Sequence, residues 1–418
     1  MSVETTDTTY QLYRDIIGVH SPWIITAVTK AETERKITVR IEHDRSIVAH
    51  CPTCGQAAKV HDTRTRVLRY LDTCQYETFL EVHVPRVKCS VDGVIQMDIP
   101  FAEKHSRFTS RFEMAVVVWL QSSPISDVAS NFDLSWDEVD GIMQRAVRRG
   151  IARRKSKTLE HLGIDETSFQ KRHEYVTVVL DKSDGSVIDV LDGRKAEALA
   201  YWLKAHKTED LAQIKSISMD MWDPFIKAVR EVVPNWEEII AFDRFHVSKC
   251  FNDAVDKTRR FEHSRFLKET GRSPLDKTRF QWLYNSGNID NRCNNRRWFL
   301  DLTRLNIMTA RAWQIKEAAS TLWDYSYMGV AKKSWKALLS WICRCRIPAM
   351  IKVGKTIKNY FWGIMNAIRL KETNGMAESK NARIQHIKRM ACGFRNRVRF
   401  RVAILFHLGN LDMSPSTI

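Results

Sequence analysis

Three acids separated by long stretches of chain constrain this sequence more than any other feature. They are Asp165 in His161-Leu-Gly-Ile-Asp165-Glu-Thr-Ser, Asp220 in Ile214-Lys-Ser-Ile-Ser-Met-Asp220-Met-Trp, and Glu378 in Met376-Ala-Glu378-Ser-Lys-Asn-Ala-Arg-Ile. The first two end short runs of strand-forming residues, while the third lies on a segment with helical period. A fold that gathers them places two strands and one helix face around one point. Converging carboxylates repel by about 4 kcal/mol per close pair at an effective dielectric near 20, so such a cluster needs a cation or a proton. Hard oxygen ligands select Mg²⁺ or Mn²⁺, and two such ions about 4 Å apart suit in-line displacement at phosphorus. The bland reading, in which each acid caps a strand-to-loop transition, accounts for one Asp more readily than for all three.

The charge balance points the same way. With 418 residues, 44% of them hydrophobic, the chain has room for two to four domains with real cores. Its formal net charge of +17 calls for a polyanionic partner, and nucleic acid is the natural one. No apolar run reaches 18 residues, and the start, Thr5-Thr-Asp-Thr-Thr, is polar, so the expectation is no membrane association and work in the cytoplasm. Nine cysteines, most of them isolated as Cys250, Cys293 and Cys392 are, fit a reducing compartment.

The exception is a pair of knuckles in the first hundred residues. Cys51-Pro-Thr-Cys54-Gly is one arm, and Val87-Lys-Cys89-Ser-Val-Asp92-Gly, preceded by alternating Leu80, Val82 and Val84, is the other. Knuckles on hairpins form zinc ribbons. Cys51, Cys54, Cys89 and Asp92 are the candidate structural Zn²⁺ ligands, with His50 or His61 as alternatives to the unusual Asp92. Next, Arg111 to Gln121 and Ile125 to Phe132 read as helices, and Ser135-Trp-Asp-Glu138 is a capping box opening a third. Ala129 suits a close helix crossing, Leu134, Val139 and Ile142 face inward, and Arg145, Arg148 and Arg149 lie at the basic far end. This is a helix-turn-helix pattern whose arginines are candidates for DNA phosphates; a plain three-helix unit is the alternative.

Strands are predicted at 163–168, 175–180, 187–191, 214–219 and 238–242, with Asp181-Lys-Ser-Asp-Gly185 as a hairpin turn, and helices near 195–205, from Pro224, and through 243–260. That order is ribonuclease-H-like and makes Asp165 and Asp220 neighbours. Asp243 and His246 open the last helix, where the pair either supports the acids or contacts the substrate phosphate. The stretch from Asp243 to Glu378 is too long for any loop, so an all-helical insertion is expected, rich in tryptophan (Trp282, Trp298, Trp313, Trp323, Trp335, Trp341, Trp362) and in basic clusters (Arg292, Arg296, Arg297; Lys332, Lys333, Lys336). Most of the tryptophans belong in a core, and an exposed one could wedge into a base step, though the sequence does not single it out. On the helix from Met376, Ala377, Ile384, Ile387 and Ala391 form a buried stripe beside a face of Glu378, Asn381, Gln385 and Lys388. Lys380, Arg383, Lys388, Arg389, Arg395, Arg397, Arg399 and Arg401 follow with no acid among them, which reads as a phosphate track.

These residues together resemble the ISL3 family of bacterial insertion-sequence transposases. The matching stretches are the Cys51/Cys54/Cys89 finger, Gly163-Ile-Asp165-Glu-Thr-Ser, Ser218-Met-Asp220-Met, Phe242-Asp243-Arg-Phe-His246-Val, Glu378-Ser-Lys-Asn381 and Gly393-Phe-Arg-Asn396. Asp92 departs from the Cys or His usual in that family. The resemblance implies a zinc-finger-like domain at 1–100, a helix-turn-helix at 101–155, a ribonuclease-H-like core at 156–260 resumed at 369–418, and the helical insertion at 261–368. It further implies that Asp165, Asp220 and Glu378 hold Mg²⁺ or Mn²⁺ for cleavage and strand transfer on double-stranded DNA, at terminal inverted repeats and target, in a dimer or larger synaptic complex. A silent DNA-binding regulator and a structure-specific ribonuclease-H-like nuclease are the alternative readings.

Overall fold

The computed structural model describes residues 3–154, 158–170, 174–289, 295–372 and 375–415; the side chains of 3–7, 295–296 and 377–378 lie outside that description. Two compact units emerge, one of 1–154 with 411–418, the other of 155–410.

In the first unit, helix α1 (Val3–Ile17) precedes strands β1 (Trp23–Ala31), β2 (Lys36–His43), β3 (Lys59–Thr73), β4 (Tyr76–Cys89) and β5 (Gly93–Gln96). The sheet order is β1-β2-β4-β3, with β5 paired to β4. Period-two alternation positions the core: Leu80, Val82 and Val84 are fully buried against Val39 and Ile41. Helices α2 (Ser110–Leu120), α3 (Ile125–Asn131) and α4 (Trp136–Arg153) follow. Thr109 accepts from the Phe112 N–H to start α2, and the capping box of Ser135 and Glu138 starts α4, as its sequence predicts. Val139 and Ile142 are fully buried and Ala129 nearly so. The chain's end belongs to this unit: Leu411 lies against Gly150, which has no space for a Cβ, and Arg149 Nε donates to the Met413 carbonyl at 3.3 Å.

The second unit is built on a sheet of order β10-β9-β6-β7-β8. Strands β6 (His161–Gln170), β7 (Glu174–Asp181) and β8 (Val187–Asp192) are an antiparallel meander; β9 (Ser216–Met219) adds in parallel beside β6, and β10 (Ile240–Phe242) in parallel beside β9. Parallel pairing requires crossovers. These are supplied by α5 (Ala196–Lys204) and α6 (Thr208–Leu211) before β9, and by α7 (Asp223–Val232) and α8 (Trp236–Ile239) before β10. The last strand is shorter than its sequence suggests, because residues 236–239 wind into a helical turn first. Helix α9 (Arg244–Thr270) runs past Arg260 until Gly271, at φ 71°, ends it.

Helices α10 (Arg279–Leu283), α11 (Asn295–Arg304), α12 (Met308–Thr321), α13 (Met328–Arg344), α14 (Pro348–Asn359) and α15 (Phe361–Arg369) follow. They share one apolar core with the sheet, from Ile164, Ile217 and Phe242 to Trp282 and Trp335. Two contacts show how closely it is packed. Gly363 lies against the Phe242 ring where a Cβ would clash, and buried Glu262 accepts from the Met308 and Thr309 N–H groups at 2.8 Å, capping α12. Trp298 and Trp341 are the exposed tryptophans of this segment, and Lys332, Lys333, Lys336 and Arg297 are exposed with them. Arg292 and the Arg296 side chain lie outside the described residues. Helices α16 (Gly375–Met390) and α17 (Arg397–Leu408) complete the unit. Ile384 and Ile387 are buried as the stripe predicts, but Ala391 is exposed, since the helix has ended one residue earlier.

Candidate active site

Strand register brings the first two acids together. Gly163 pairs with Ser218 across β6 and β9, so the residues two further along, Asp165 and Asp220, are neighbours. Because β6 continues to Gln170, Asp165 lies within its strand, whereas Asp220 stands just past the end of β9. Asp165 is 9% exposed, accepts from the Glu166 N–H at 2.7 Å, and accepts from Asn381 Nδ2 at 2.7 Å. Asp220 accepts from His246 Nδ1 at 2.7 Å. Asp243 is the cap of α9: its carboxylate accepts from the Phe245 N–H at 2.8 Å and stands 3.7 Å from His246 Nε2. Ligand atoms of Asp165, Asp220 and His246 lie within 4.8 Å of one another. The sequence places His246 beside Asp243; the structure places its ring in direct contact with Asp220, among the acids.

Electrostatics shows what this cluster is suited to hold. Burial, followed by the charge of Asp220, pushes the Asp165 carboxyl up to about 6. For His246, burial is the largest influence and lowers its pKa, but the Asp220 hydrogen bond and the charges of Asp220, Asp243 and Asp165 together raise it. A carboxylate forced toward its neutral form beside a second one is a site suited to a cation, and oxygen donors with one imidazole fit Mg²⁺ or Mn²⁺.

Helix α16 is laid along β6 by three side chains at helical spacing. Asn381 holds Asp165, Gln385 Nε2 donates to Thr167 Oγ1 at 2.9 Å, and Lys388 Nζ donates to the Ser168 carbonyl at 3.0 Å. Before the helix, Glu372 accepts from Lys182 and Ser216, tying its approach to the same sheet. Position 378 lies on α16 one turn before Asn381, and the Glu378 side chain is outside the described residues. Sequence pattern finds this face of α16 but not the strand it grips. Period identifies which residues share a side of a helix, whereas the strand they grip lies far back along the chain.

Several basic residues have partners that the charge run conceals. Arg145 and Arg149 both pair with Glu113, which is 1% exposed, at 2.7 and 3.0 Å, and Arg149 also pairs with Glu103 at 2.8 Å. Their guanidiniums tie the helix-turn-helix unit together from within, whereas Arg148 is exposed. Lys388 is committed to β6 as described. Arg397 pairs with Glu174 at 3.2 Å, and Arg401 with Asp189 at 2.8 Å. Arg383, Arg389 and Arg395 are exposed, and Lys380 is half-buried.

A second candidate metal centre lies in the first unit. Cys51, Cys54, Cys89 and Asp92 present ligand atoms within 4.8 Å of one another; His50 and His61 are not part of the group. Gly55 and Gly93, at φ 74° and 73°, let the chain turn back tightly after each arm. Cys54 Sγ is 3.4 Å from Cys89 Sγ, and Asp92 Oδ2 is 3.4 Å from Cys51 Sγ. Three soft thiolates and one oxygen at the corners of a small polyhedron suit Zn²⁺.

Comparison with known proteins agrees with this division. Residues 47–91 match a zinc-finger of transposases IS204/IS1001/IS1096/IS1165, residues 97–147 a helix-turn-helix domain of transposase family ISL3, and residues 162–404 the ISL3 transposase domain of the DDE type. The chain is 26% identical over 417 residues to the transposase for insertion sequence element IS1557 of Mycobacterium tuberculosis, covering 92% of each. It is 25% identical over 358 residues to the transposase for insertion sequence element IS1001 of Bordetella parapertussis, covering 85% of this chain and 87% of that one. The chain belongs to the ISL3 family of DDE transposases, enzymes that bind DNA, cleave it and transfer its strands.

Proposed function

We propose that this transposase cuts at the terminal inverted repeats of its insertion sequence and joins the ends to target DNA, with Asp165, Asp220 and Glu378 as its metal-holding triad. The observation that carries the reading is the side-by-side placement of Asp165 and Asp220 at adjacent parallel strands, with His246 in the same cluster. The five-strand order and the helices between β10 and α16 support a ribonuclease-H-like core with a helical insertion. Two Mg²⁺ or Mn²⁺ ions held there would supply charge neutralisation and activation of the attacking oxygen.

The chain's own residues do the rest. Asn381 fixes the Asp165 carboxylate from the helix that carries Glu378, and His246 holds Asp220. Water breaks a phosphodiester at the element's end, leaving a 3′-hydroxyl on one side and a 5′-phosphate on the other. That 3′-hydroxyl then attacks a target phosphodiester, forming a new 3′–5′ bond and expelling the target's own 3′-oxygen, which leaves as a hydroxyl. Arg148, Lys380, Arg383, Arg389 and Arg395 are the basic side chains we assign to backbone contacts. The zinc-held finger and the helix-turn-helix read the repeat, and two protomers or more bring two ends together in the bacterial cytoplasm. Among the described residues no helix is long and apolar enough to cross a membrane.

The test is cleavage of a labelled duplex carrying the terminal repeat, in Mg²⁺ or EDTA. Cutting at the repeat boundary should require the metal and fall by about 10³-fold or more in Asp220→Asn while binding persists. Equal cutting by Asp220→Asn would remove that residue from the triad.

A further inference from the structure

One arginine beside the acids has a setting that the catalytic assignment does not use. Arg194 follows β8 in the short link to α5. Its guanidinium lies over two aromatic faces, 5.0 Å from the Tyr175 ring centre and 4.9 Å from that of Trp222. Tyr175 comes from β7, and Trp222 from the turn two residues beyond Asp220. Arg194 Nη1 stands 3.7 Å from an oxygen of Glu166, the residue next to Asp165. The Arg194 side chain is 44% exposed, whereas Glu166 is only 16% exposed.

Three consequences follow from that geometry. Two aromatic rings about 5 Å away hold the guanidinium by cation–π contact, and arginine held on aromatic rings is suited to bidentate recognition of phosphate. The separation of 3.7 Å from Glu166 is too long for a hydrogen bond, so this acid holds the arginine loosely. The position itself answers an electrostatic need: DNA approaching Asp165, Asp220 and Glu166 meets a concentration of negative charge, and a fixed cation at its border offsets that repulsion.

We propose that Arg194 seats a DNA phosphate beside the acid cluster, exchanging its loose contact with Glu166 for the phosphate while Trp222 and Tyr175 keep it in place. The proposal names a substrate contact of the site described above and rests on that reading for the chemistry next door. The alternative is a clamp that merely pins the β8–α5 link.

Salt dependence separates the two, because each lost phosphate contact lowers the slope of log affinity against log salt by about one, which a structural clamp does not do. Full-length wild type, Arg194→Gln, Arg194→Lys and Glu166→Gln would be titrated onto the repeat duplex across a salt series in Ca²⁺, then assayed for single-turnover cutting in Mg²⁺. We expect Arg194→Gln to flatten the slope by about one and to cut about tenfold more slowly or worse at saturating DNA. Arg194→Lys should keep the slope, and Glu166→Gln should bind about twofold more tightly or better at low salt, since it removes both a competitor and a repelling charge. A wild-type slope in Arg194→Gln, or weaker binding by Glu166→Gln, overturns the proposal. Should Arg194→Gln fail to fold, the Glu166→Gln result decides alone. Flattened slopes with no metal-dependent cutting by the wild type would sink the cleavage reading and leave the phosphate contact standing.

Discussion

The two candidate metal clusters are built on opposite plans. Cys51, Cys54, Cys89 and Asp92 come from two tight knuckles on hairpins, three soft sulfurs and one oxygen filling a four-ligand shell. Asp165, Asp220 and His246 come from neighbouring parallel strands, the turn after one of them and a helix start, two carboxylates and one imidazole with no sulfur among them. A closed thiolate site contributes to folding, whereas an acid site works against it: Asp165 is pushed toward its neutral form by burial and by Asp220. One cluster should therefore stabilise its unit and the other should strain it.

Removing zinc should have the largest effect. Structural zinc is worth on the order of 10 kcal/mol in small finger domains, so Cys89→Ser should lose its metal, measured by elemental analysis, and with it repeat binding. Retained repeat binding in a zinc-depleted sample would break the contrast. Next comes pH. His407, on α17 in the catalytic unit, is held down to about 4, chiefly by burial and further by Arg383 and His386. The unfolded chain takes up this proton near pH 6.5 and the folded chain only near 4. Its contribution is therefore intact above pH 6.5 and is lost as pH falls through that window, up to about 3 kcal/mol. Denaturant melts of wild type and His407→Leu should diverge in pH dependence there, and parallel curves would refute the assignment.

Asn381→Ala should weaken divalent-metal affinity by about tenfold, read as the Mn²⁺ concentration for half-maximal cutting, because Asp165 loses the amide that orients it. An unchanged metal requirement would mean that the hydrogen bond does not matter to the site. Smallest, and opposite in sign, is Asp220→Asn in EDTA: relief of acid crowding should leave the protein at least as stable as wild type, by about 1 kcal/mol in its favour. A clear loss of stability would mean the acids are structural after all.

What is legible in the sequence divides along the same line. The knuckles, the capping box at Ser135 and the strands that carry Asp165 and Asp220 are local signals, and each is where its pattern predicts. Ion pairing between distant segments is not legible. A run of arginines without acids reads as exposed, yet Glu174 and Asp189, from much earlier in the chain, meet Arg397 and Arg401, and Glu113 neutralises Arg145 and Arg149 from another helix. The aromatic seat of Arg194 is hidden for the same reason, since Tyr175 and Trp222 become its neighbours only once the sheet and the turn after Asp220 are formed.

The most direct test of two clusters with separate roles is metal binding itself, measured together at both sites. Mn²⁺ titration followed by electron paramagnetic resonance, with zinc content determined on the same samples, would compare wild type with Asp220→Asn. The account predicts that Asp220→Asn loses Mn²⁺ binding and keeps a full complement of zinc. Undiminished Mn²⁺ binding by the variant would contradict it, because the divalent ion would then be held elsewhere.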